Sequence, residues 1–62
     1  MPELFPIGID EQIACVEREL RLRYRNYPGW VRNKKMTQAL ADKQLAAMEA
    51  VLETLQDVRN GR

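Results

Sequence analysis

Few residues in this chain have side chains suited to catalysis. Its 62 residues hold one cysteine, two threonines and no histidine. Histidine is the commonest general base near neutral pH, so any nucleophile here lacks its usual partner. Cys15 falls between Ile13 and Val16 on a predicted helix, where it reads as a small core side chain rather than a reactive thiol. Thr37 and Thr54 lie in no nucleophile motif. Glu49, Glu53 and Asp57 recur at four-residue steps and share a helix face. Such a row can hold a divalent cation, but its ordinary role is a solvated polar face. A zinc site built from carboxylates alone is poor zinc chemistry. The glycines at 8, 29 and 61 are too scattered to cradle a phosphate. The reading is a protein without catalytic, metal or cofactor residues, which acts by binding.

One segment is polarised. Arg21, Arg23, Arg25, Arg32, Lys34 and Lys35 fall within fifteen residues that contain no acid, interleaved with Tyr24, Tyr27 and Trp30. Cations beside aromatics suit phosphate contact and base stacking. The same residue types dominate protein-binding hot spots. A third reading is structural, with Tyr27, Pro28 and Trp30 closing the end of a helical core. Arg23, Tyr24, Tyr27, Trp30 and Arg32 are the candidate partner-binding residues, with a protein favoured over a nucleic acid. The near-even balance of ten cations and nine acids argues against a protein that coats nucleic acid.

Two helices must position this segment. Ile9, Ile13, Val16, Leu20, Tyr24 and Tyr27 recur at steps of three and four, the signature of one helical stripe. Gly8 or Asp10 can cap that helix, and Glu17–Arg21 and Glu19–Arg23 are favourable four-residue ion pairs. Pro28 and Gly29 then predict an end or sharp kink, so the helix is expected over about 9–26 with a bend or short turn over 27–36. Asn33 is the residue suited there to a left-handed backbone. Thr37 caps a second helix over about 38–59, which Asn60-Gly61 terminates. Its apolar residues Ala41, Leu45, Met48, Leu52 and Leu55 are widened by Leu40, Val51 and Val58 into a broad face.

The fold class is therefore all-α, a two-helix antiparallel hairpin. A lone chain of this size is marginal, and one cysteine permits no internal disulfide. The second helix carries more apolar face than one neighbour covers. The expectation is a homodimer, two hairpins closing a four-helix bundle around Ile13, Val16, Leu20, Leu45, Met48, Leu52 and Leu55. Residues 1–8, with Leu4, Phe5 and Ile7 among two prolines, read as an extended apolar arm that packs on the first helix or on a partner subunit. That arm has no basic region or long apolar run, so no signal peptide is expected, and no stretch is apolar enough for a membrane helix.

The runs Ile13-Ala14-Cys15-Val16-Glu17-Arg18-Glu19-Leu20 and Arg23-Tyr24-Arg25-Asn26-Tyr27-Pro28-Gly29-Trp30-Val31, followed by Met36-Thr37, Ala41-Asp42 and Ala47-Met48-Glu49-Ala50-Val51-Leu52-Glu53-Thr54-Leu55, resemble a group of small phage and prophage proteins. The resemblance covers roughly residues 11–56. Many members carry glycine in the connector, where this chain has Asn33-Lys34-Lys35. It implies a phage-encoded accessory protein that acts in the host bacterial cytoplasm by binding a host protein. A phage structural or assembly component is the other role it allows.

Overall fold

A computed structural model of the chain describes residues 7–61. Helix α1 spans Ile9–Arg32 and helix α2 spans Gln38–Arg59. The two pack against each other as an antiparallel hairpin, and the described residues contain no strand. The expected packing of the amino-terminal arm lies outside the described residues, apart from the exposed Ile7 and Gly8.

α1 does not end at Asn26. It runs through Pro28 and Gly29 for another six residues, and no separate turn occupies 27–32. Proline in a helix interior costs about 3 kcal/mol, through a lost hydrogen bond to the carbonyl four residues back and a clash with it. Burial outweighs that cost. Tyr27 is 8% exposed and Val31 half-buried, and stopping at Asn26 would return both to water. Burying a large apolar side chain is worth roughly 1.5–3 kcal/mol, so two such residues offset one proline. Pro28 itself is exposed, leaving the Tyr24 carbonyl it cannot satisfy on the wet side of the helix.

The connector is short because α1 closes in a Schellman motif. The Lys35 amide donates to the Trp30 carbonyl (2.8 Å) and the Lys34 amide to that of Val31 (3.1 Å). The left-handed residue is Lys34, with φ 61°, rather than Asn33, whose φ is −87°. A non-glycine residue in that region costs about 1 kcal/mol. Lys34→Gly is thus expected to raise stability, by less than about 1 kcal/mol once the freer unfolded chain is counted. Urea unfolding followed by circular dichroism checks the sign. At the other end of the connector the Thr37 hydroxyl accepts from the Leu40 amide (3.1 Å), and Gly61, φ 78°, terminates α2.

The seam between the helices follows steps of four and three without interruption. On α1 it passes through Ile9, Ile13, Val16, Leu20, Arg23 and Tyr27, and on α2 through Ala41, Leu45, Met48, Leu52 and Leu55. Every one of these is buried or half-buried, with Ala41 the least exposed at 2%. The stripe therefore passes through Arg23 and not Tyr24, which is 48% exposed. Ile13, Val16, Leu20, Leu45, Met48, Leu52 and Leu55 thus lie along the join within one hairpin. The assembly measures 42 × 32 × 15 Å, a single layer of helices with its two broad faces open.

Candidate functional site

The continuity of α1 decides where its cations and aromatics go, because each residue turns about 100° from the last. Arg18, Arg21, Arg25 and Arg32 fall along the outer side of α1, all exposed, spread over roughly 21 Å. None of them has an ion-pair partner among the described residues. Of the two expected pairs on α1, Glu19–Arg23 forms, at 3.1 Å, and Glu17–Arg21 does not. Arg59 reaches Asp10 at 3.7 Å across the open end of the hairpin. Lys34 and Lys35 belong to the connector. The basic–aromatic segment is accordingly divided between two sides of one helix instead of forming one patch.

What does gather is a groove of about 220 Å³ lined by Glu19, Leu22, Arg23, Asn26, Tyr27 and Trp30. Tyr27 and Trp30 stand three apart on one turn, with ring centroids 5.5 Å apart and planes inclined at 35°. The buried Tyr27 fixes the inner ring, and Trp30 lies half-open to solvent against it. Arg23 is held by Glu19, so its charge is largely spoken for and its aliphatic stem forms part of the wall. Three of the five sequence candidates, Arg23, Tyr27 and Trp30, thus share one site. Tyr24 and Arg32 are elsewhere. Arg32 falls on the outer side of α1, with its guanidinium 3.6 Å from where a Cβ on Gly29 would stand. Leu22 and Asn26 were not singled out from the sequence. Their signal is the spacing, since Leu22 stands four before Asn26 and Asn26 four before Trp30, but it shows only once α1 is known to continue past Asn26.

Tyr24 joins the opposite side of the hairpin, where its hydroxyl donates to the Glu49 carboxylate. That hydrogen bond raises the phenol pKa above its ordinary 10.0, and desolvation and the Glu49 charge act in the same direction. The folded value lies above the unfolded one, so the contact supports the hairpin below pH 10 and is lost as pH climbs through the raised value. In a spectrophotometric titration, Tyr24 is expected to ionise later than a free phenol, and Glu49→Gln is expected to bring it back. Cys15, expected in the core, is exposed. It sits one residue before the seam position Val16, and with Val16, Val51 and Leu55 lines a second, apolar groove toward the chain ends.

Among the described residues no three Asp, Glu, Cys or His side chains converge as metal ligands, and no helix is long and apolar enough to cross a membrane. Comparisons with protein-family models, with curated proteins and with solved structures returned no match.

Proposed function

We propose that this chain is a non-catalytic binding module that docks onto another protein through the Arg23–Tyr27–Trp30 groove. The observation that carries the reading is the meeting of an arginine, a tyrosine and a tryptophan in one exposed groove on a rigid helix. These three residue types supply most of the energy at protein interfaces. The buried Tyr27 ring, tilted against the indole, limits its freedom, so little entropy is lost when a partner closes over it. The fitting ligand presents an apolar side chain to Trp30 and Leu22 and a polar backbone group to Asn26. The resemblance to small phage proteins supports a host bacterial protein as that partner, with the module acting as an accessory factor inside the host cell.

The test is quantitative affinity capture from a bacterial host lysate with the intact chain, Trp30→Ala and Lys43→Ala, the last on the far helix. A partner retained by the chain and by Lys43→Ala but lost by Trp30→Ala is the expected result. Capture that is unchanged by Trp30→Ala overturns the groove as the docking site.

A second reading rests on a separate observation, the unpaired row of Arg18, Arg21, Arg25 and Arg32. Four phosphate contacts would make the logarithm of nucleic-acid affinity fall against that of salt with a slope of about −3 to −4. A gel shift on mixed DNA and RNA at low salt that shows no retardation removes this reading.

A further inference from the structure

Beside its seam, α2 carries a second stripe one residue earlier at each turn: Leu40, Gln44, Ala47, Val51, Thr54 and Val58, again at steps of 4, 3, 4, 3 and 4. All six are exposed, and none is charged, in a chain where 31% of residues are. The acids Asp42, Glu49 and Glu53 fall on the other side of the helix. An uncharged, partly apolar strip on a solvated helix is the composition of an interface centre.

The strip is also symmetric about position 49. Read from either end, Leu40 corresponds to Val58, Gln44 to Thr54 and Ala47 to Val51. Laid antiparallel on an identical helix, it sets apolar against apolar at four places and an amide against a hydroxyl at two. A two-fold interface uses the same patch on both subunits, so it needs a patch that complements itself. An uncharged one meets its copy without repulsion. Ala47, with Ala50 beside it, allows the two backbones a close approach.

Area points the same way. The chain exposes 5116 Å², where a compact monomer of its 7.2 kDa exposes roughly 4,100 Å². The difference, about 1,000 Å², is of the same order as the roughly 800 Å² that each partner buries at an interface of standard size. Its radius of gyration, 14.6 Å, likewise exceeds the roughly 11 Å of a compact chain this long. A single helical layer closes its core by acquiring a second layer.

We infer that two copies of this chain pair through α2 about a two-fold axis at position 49, matching Leu40 with Val58, Gln44 with Thr54 and Ala47 with Val51 of the second copy. The strip shares no residue with the Arg23–Tyr27–Trp30 groove.

Sedimentation equilibrium on the full chain tests this. The intact chain should be a dimer, and Ala47→Glu and Val51→Lys, both at exposed sites, should each be monomeric with their helical circular dichroism retained. Because 47 of one copy faces 51 of the other, an equimolar mixture of the two variants should regenerate a dimer at least about tenfold tighter than either variant forms alone. Ala46→Glu, about 100° around α2 from Ala47 and outside the strip, should leave the dimer intact. A monomeric intact chain at several hundred micromolar overturns pairing, and so does a dimer that ignores both variants. A dimer broken by both and not regenerated by mixing overturns the register. Should either variant lose its helix, Leu40→Glu mixed with Val58→Lys asks the same question at the strip's ends.

Discussion

Tyr27→Ala is expected to lower the stability of the hairpin by about 3–5 kcal/mol, the range for truncating a buried aromatic ring. At roughly 0.05–0.15 kcal/mol per residue, a chain of this length holds only about 3–9 kcal/mol in total. The variant should therefore be largely unfolded at room temperature or melt far below the parent. The cost is large because of where the ring sits. Tyr27 lines a cavity of about 130 Å³ at the connector end together with Tyr24, Val31, Ala41 and Leu45, and it also supports Trp30. Removing it takes away both the last large side chain of the seam and the back wall of the groove. Tyr24→Ala, three residues earlier, should shift the thermal transition far less, since that ring is half exposed and its one hydrogen bond is at the surface. Thermal unfolding of both variants, followed at 222 nm, decides the matter. A Tyr24→Ala variant less stable than Tyr27→Ala would mean that the seam has been traced through the wrong residue.

That pair of tyrosines marks the boundary of what the sequence discloses. The helical class, the antiparallel hairpin, the Thr37 cap and the Gly61 stop are all local matters, set by periodicity and by capping chemistry, and they are legible. Which of two adjacent residues occupies the seam is not local. After Leu20, a step of three leads to Arg23 and a step of four to Tyr24, and hydrophobicity favours the tyrosine. The structure takes Arg23, because a seam that repeats every 3.5 residues alternates threes and fours, and the arginine stem can lie in it while Glu19 holds its charge outside. Cys15 and Lys34 follow the same logic. Cysteine is usually buried, but its register puts it one residue off the seam. A lysine accepts a left-handed backbone because the Schellman closure that starts the connector needs one at that position, whatever residue stands there. The groove was only half legible for a related reason. Its residues are four and three apart across a proline–glycine step that sequence rules treat as a break.

Pro28→Ala is expected to stabilise the hairpin by roughly 1–2 kcal/mol, the opposite of what substitution inside a folded helix usually does. Alanine restores the amide that the Tyr24 carbonyl lacks and removes the ring that crowds it, together worth about 3 kcal/mol on helix propensity. Against this stand the greater freedom of the unfolded chain, about 0.4–1 kcal/mol, and the loss of contacts the ring makes beside Tyr27 and Val31. At about 4–8 °C per kcal/mol for a domain this small, the melting point should rise by several degrees. Gly29→Ala should add to it, since a Cβ there meets only the end of Arg32 at an ordinary 3.6 Å. A melting point unchanged or lowered by Pro28→Ala would mean that the ring's packing outweighs the missing hydrogen bond. Two adjacent helix-breaking residues whose replacement raises stability would have no use to folding. Sites that break local rules in this way are often those retained for function, and here the pair immediately precedes Trp30. A variant with both alanines should accordingly be the more stable protein, and if the pair is kept for docking it should capture the groove's partner more weakly than the parent.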